Sequence, residues 1–252
     1  MSDLPAVPLR NHTSSSRRST LEDPGAGHAG QAMAEFIVVL PVLLLLILGA
    51  FQFALVFMAK STLNQAAFYA DREGTLNNAS STSMKEGLAS GLAPLYQNTS
   101  FGTGVTMAGV AQASALAAVY TPGTACIQVL NPGSAAFSDF GVSVPSGNAG
   151  GGNVTEIPNA RLLYQPTTVG ASSGEDIQDA NLLKIRVNYC YHLIVPLINT
   201  TIKSLAANGA ISVGGAWQAA CYANGGIPLV ANSTMLMQSP AIQSKNNTSS
   251  CT

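Results

Sequence analysis

A chain of 252 residues with 11 basic and 12 acidic side chains is almost neutral, which excludes the basic footprint of a nucleic-acid binder. Charged residues make up only 9% of it, against roughly 25% in an average soluble domain, and Ser, Thr, Asn, Gly and Ala fill the deficit. Such a surface suits a tethered or assembled protein better than a free cytosolic enzyme, and the length allows one anchored domain or two small ones.

Residues 1–30 read as a cytoplasmic leader, cleaved or disordered, whose basic residues are Arg10, Arg17 and Arg18. The boundary that follows is HAGQAMAEFIVVLPVLLLL, and its odd feature is Glu35, a lone carboxylate where the apolar run begins. An ionisable group at a membrane edge calls for an interfacial position or a compensating cation. From Phe36 to Met58 the sequence FIVVLPVLLLLILGAFQFALVFM holds no charged residue over 23 positions. At about 1.5 Å per residue that is roughly 34 Å of helix, enough to span a hydrocarbon core of about 30 Å. Pro41 is expected to kink it near its start, and Gln52 is the one strongly polar side chain inside.

A cleaved secretory signal does not fit, because its apolar core is about 7–15 residues long and a small-residue cleavage site should follow. Lys60 and Arg72 are the first basic residues beyond the span, so the basic balance favours an N-terminus in the cytoplasm and a C-terminal domain in the periplasm. The next apolar stretch, Val105 to Tyr120, is too diluted by Thr106, Gln112 and Ser114 to cross again, so the expected topology is single-pass. Leu63, Ala66, Ala67 and Ala70 repeat at helical spacing. The helix is therefore expected to continue as an amphipathic segment to about Gly74, its stripe facing either its own domain or neighbouring subunits. Asp71-Arg72-Glu73 reads as its solvated end.

Gly30, four further residues, Glu35-Phe36 and the long apolar helix together resemble the class III signal of prepilins. The resemblance implies a cut by a membrane-embedded aspartyl prepilin peptidase between Gly30 and Gln31, leaving Glu35 fifth in the mature chain. The new α-amino group would be a cation, and Glu35 of the same or a neighbouring subunit can offset it where the dielectric is low. Gly25 and Gly27 lie too far from Glu35 for this spacing.

The longer string AMAEFIVVLPVLLLLILGAFQFALVFMAKSTLNQAA is similar to the TadE-like family of pseudopilins in tight-adherence pilus systems. It has a Glu-Phe start, an apolar stretch interrupted by Leu-Pro, an aromatic-rich end and an alanine-rich continuation. That likeness implies a structural subunit at the inner (cytoplasmic) membrane. Its implied partners are prepilin peptidase, other pilus or pseudopilin subunits and an inner-membrane assembly platform. Gln31 departs from the phenylalanine preferred in major pilins, and the leader is long for the class.

Beyond a polar break at Asn77 to Thr82, Ser83-Met-Lys-Glu86 reads as a capping box opening a helix that ends before Pro94, and Thr106 to Tyr120 as a third helix. Cys126 to Leu130 and Phe140 to Val144 are short strands separated by a turn at Asn131-Pro-Gly133. Gly141 to Asn153 reads as a flexible loop without a phosphate-binding ending, and Gly170 to Asp179 as a second exposed loop lacking the calcium pattern. The clearest strand is Leu183 to Val195, whose alternation predicts one buried and one wet face. Asn199 to Asn208 is a helix candidate and Ile227 to Met237 a last strand. The expected fold is α+β: a long N-terminal transmembrane helix continuing into an extracytoplasmic amphipathic one, then a domain with an antiparallel sheet. The divisions are 1–30, 31–74 and 75–252.

Four cysteines, Cys126, Cys190, Cys221 and Cys251, all follow the apolar segment without a CxxC pair, so disulfides are plausible in any of three pairings, with buried free thiols as the alternative. His12 and His28 lie in the leader, which leaves only His192, read as structural, for acid–base work. No catalytic motif, metal site or cofactor site is expected. N-x-[ST] sequons, among them those at Asn11, Asn78, Asn98, Asn153, Asn199, Asn232 and Asn247, support an alternative: an unprocessed single-pass anchor presenting a binding or adhesion domain. A membrane-tethered enzyme is the third class.

Overall fold

The structure, a computed structural model, describes residues 28–96, 107–147, 151–193, 200, 204–205 and 215–246. Helix α1 runs from His28 to Leu76 with Pro41 inside it, where one intrahelical donor is missing, and the chain divides into two compact units, residues 1–46 and 47–252. In the first unit the described residues are helix, and its described side chains from Phe36 to Leu46 all face outward.

The second unit contains the rest of α1 and the α+β domain. Helix α2 (Ser81–Leu92) leads into a single 3-10 turn (Ala93–Tyr96), and α3 spans Met107–Tyr120. Strand β1 (Ala125–Asn131), helix α4 (Ser134–Phe140), strands β2 (Val142–Pro145) and β3 (Asn153–Ile157), a 3-10 turn (Leu162–Tyr164) and a one-turn helix α5 (Ile177–Ala180) follow. Strand β4 (Leu182–His192), helix α6 (Ala216–Ala223) and strands β5 (Gly226–Leu236) and β6 (Ala241–Ile242) complete it. Both sheets are antiparallel, with orders β1-β4-β5 and β2-β3-β6. The β4–β5 ladder keeps register from Leu182↔Leu236 to His192↔Gly226, as two uninterrupted strands of equal length allow.

The alanine stripe meets its own domain. Ala59, Leu63, Ala66, Ala67 and Ala70 are all fully buried and share one core with Met84, Leu88 and Leu92 of α2 and Leu183, Ile185 and Val187 of β4. Small side chains are required because the elements approach closely. A methyl added at Gly91 of α2 would collide with Ala66 of α1, and one at Gly74 would lie 2.7 Å from Leu183 Cδ2 and 2.8 Å from Met84 Cγ. Lys60 of α1 donates to the backbone oxygen of Val230 in β5, and the backbone oxygen of Thr75 accepts from the amides of Gln238 and Ser239. Both ends of this helical segment are thereby tied to β5 and the turn after it.

Several expectations need correction. Asp71 is not solvated: it is 0% exposed, because it falls one turn beyond Ala67 on the buried stripe. No capping box forms at Ser83, since α2 already starts at Ser81, after Ser80. The turn after Asn131 is a cis Asn131–Pro132 bond leading into α4, so Phe140 ends a helix and does not open a strand. Part of the Gly141 to Asn153 loop is β2, which pairs with β3 from Val142↔Glu156 to Pro145↔Asn153. Strand β4 has a wet face over Lys184 and Arg186 and again at His192, but from Val187 to Tyr191 both faces are covered. The Asn199 to Asn208 helix candidate and the Val195 end of the strand candidate fall largely outside the described residues.

Candidate functional site

The one helix long and apolar enough to cross a membrane among the described residues is α1, whose most apolar window has mean hydropathy 2.7. Its side chains are bare on every side: Phe36, Val38, Leu45, Phe53 and Phe57 are each more than 60% exposed. A helix that is hydrophobic all round has no stable place in water and demands lipid or other apolar helices around it. Nearer the domain one face begins to close, with Gln52 only 4% exposed and Ala59 sealed, while Phe53 and Phe57 stay bare on the other.

At the N-terminal edge of this surface Glu35 is exposed, beside Phe36 at 61%. Gly30 and Gln31 lie in the first turn of α1, with side chains outside the described residues. The spacing places Glu35 a little over one turn after Gly30. Glu35 and Phe36 thus stand near the start of the exposed apolar surface.

Other polar groups serve the fold. Asp71 has neither carboxylate oxygen in a good hydrogen bond; burial pushes its carboxyl up to about 6, and the nearby Ser233 hydroxyl of β5 only partly offsets that. Asp139 accepts from the backbone amides of Ser172 (3.0 Å) and Ser173 (2.7 Å), which holds its carboxyl below the usual range and pins the acidic loop to the end of α4. The hydroxyls of Tyr96 and Tyr189 meet at 2.8 Å, and burial raises both phenols.

Cys190 and Cys221 form a disulfide that fastens α6 to β4, with Trp217 packed beside them. Cys126 is also disulfide-bonded, and Cys251 lies outside the described residues. His192 is exposed at the end of β4, and no group of three metal-ligating side chains occurs among the described residues. Of the sequons, Asn78 is structural, its amide donating to the backbone oxygen of Pro240, whereas Asn153 and Asn232 are exposed. Asn11, Asn98, Asn199 and Asn247 lie outside the described residues.

Sequence reasoning missed Asp71 and α6. The first was findable, because the stripe that buries Ala67 also buries the residue four positions on.

The family model for TadE-like proteins matches residues 30–70. No curated protein and no solved structure matches the chain.

Proposed function

We propose, from the TadE-like domain at residues 30–70, that this chain is a membrane-anchored pseudopilin that helps assemble or initiate a tight-adherence pilus or a related secretion apparatus. The observation that carries the reading is a helix whose apolar side chains are exposed all round, inside a family match that begins at Gly30. In this account residues 1–30 are a cytoplasmic leader, prepilin peptidase cuts between Gly30 and Gln31, and residues 31–74 form the anchor helix with its extension. Residues 75–252 form the periplasmic domain. The role is structural and not catalytic.

The chemistry of the cut supplies the assembly logic. Hydrolysis leaves an ammonium on Gln31, and the Glu35 carboxylate of the same or a neighbouring subunit neutralises it as the helices pack side by side in a low-dielectric layer. Glycine before the cut leaves the scissile backbone unobstructed. Partners of this helix are other pilus or pseudopilin subunits and the inner-membrane assembly platform.

A Gly30→Ala variant is the test. Co-produced with the peptidase, the parent chain should migrate as the shortened form and Gly30→Ala as the full-length form, with both in the membrane fraction. Identical migration of the two at full length would favour the unprocessed anchor that presents a binding domain.

A further inference from the structure

The domain carries two surface features that the membrane reading leaves unused. The first is the 3-10 turn at Leu162–Tyr164, where Leu163 is 92% and Tyr164 87% exposed, more than any other large hydrophobic side chain described. Two hydrogen bonds close the turn. Tyr164 N–H donates to the Arg161 oxygen at 2.9 Å, and the Gln178 side-chain amide donates to the Leu162 oxygen at 2.9 Å. Arg161 itself sits in the left-handed region at φ 54°, is exposed, and makes no ion pair among the described residues. A hydrogen-bonded turn that offers a leucine, a tyrosine and an arginine to solvent lowers the backbone part of the ordering cost of binding.

The second feature is a groove of about 430 Å³ between α1, α2 and α3, lined by Tyr69, Glu73, Glu86, Ser90, Gln112 and Leu116. Its floor is tight, because the helices approach at glycine positions, and its walls combine two carboxylates with Tyr69 and Leu116. No cation lines it. In a chain only 9% charged, two glutamates facing one cleft are a concentrated negative site.

From these complementary features we infer that the Arg161–Tyr164 turn of one copy docks into the α1–α3 groove of a second copy. Arg161 meets Glu73 and Glu86, and Leu163 and Tyr164 cover Tyr69 and Leu116. Aromatic and arginine side chains are the usual anchors of protein interfaces, and the charge match fixes orientation. Because the two surfaces are unlike, the contact is either reciprocated within a pair or repeated along a row. It lies in the domain and does not depend on processing at Gly30.

Site-directed cross-linking of the full-length chain in its membrane tests this. Two tagged copies are co-produced, one Leu163→Cys and the other Gln112→Cys, and oxidised mildly. The proposal expects a mixed disulfide-linked dimer well above that from a control pairing Leu163→Cys with Ser143→Cys, an exposed site on β2. Arg161→Glu in the first copy removes the charge contact and sets a like charge against the two glutamates, which should lower the yield by about fivefold. Glu73→Arg with Glu86→Arg in the second copy should restore it. Equal yields for the test and control pairs, as association through the membrane helices alone would give, overturn the proposal, and so does a yield indifferent to Arg161→Glu.

Discussion

Asp71 is a carboxyl group in a place that opposes its charge. It is fully buried, its oxygens lack good partners, and its carboxyl titrates near 6 against 3.8 for an unhindered aspartate. A raised carboxyl pKa means that the folded state disfavours the ionised form. The penalty is absent below about pH 4, grows between pH 4 and 6, and reaches up to about 3 kcal/mol above that. The domain should therefore melt at a lower temperature at pH 7.5 than at pH 5 through this group. Asp71→Asn should raise the melting temperature at pH 7.5 and leave it nearly unchanged near pH 4. Thermal melts of the detergent-solubilised chain across that range check it, and a destabilised Asp71→Asn at pH 7.5 would mean that the carboxylate is paired.

At the scale of elements, the long helix and the β4–β5 pair were legible because each carries a strong period: uninterrupted apolar residues, then a stripe at helical spacing, then alternation. The exposed edge of that reading was its ends. Nothing local in Ser134 to Phe140 announces a helix, and Ala216 to Ala223 follows two glycines; α6 is fixed by Trp217 and the Cys190–Cys221 bond, a contact across 31 residues of chain. Strand β2 was legible as the Phe140 to Val144 candidate, displaced by one or two residues, whereas β3 (Asn153–Ile157) was hidden, because the glycines before it read as loop and five residues offer little alternation. Glu35 stood out in the sequence as a lone carboxylate at the edge of an apolar run, whereas the role proposed for it comes from family likeness, since one carboxylate has no period to read.

The disulfide also makes an element-scale prediction. It closes a 31-residue separation, for which loop-closure entropy amounts to about 3–4 kcal/mol. Replacing Cys190 and Cys221 by alanine should release α6 from β4 and expose Trp217, now 8% exposed. Because the chain has a single tryptophan, fluorescence reports on this contact directly. The expected result is a red shift of emission with a lower melting temperature. Unchanged emission would show that Trp217 is held by packing alone.

For the molecule as a whole, the exposed apolar surface of α1 runs across both compact units: it covers the described helix of the first and continues through Phe51, Phe53 and Phe57 of the second. Only from about Ala59 does α1 close one face against the second unit's core. An apolar surface of this length is consistent with a single-pass anchor. In the function proposed above, what separates an assembly helix from an anchor alone is the bond after Gly30. Mass spectrometry of the N-terminus of the membrane-extracted chain reads that bond directly. The account predicts a mature chain beginning at Gln31; a chain beginning at Met1, or anywhere within the apolar run, would contradict it.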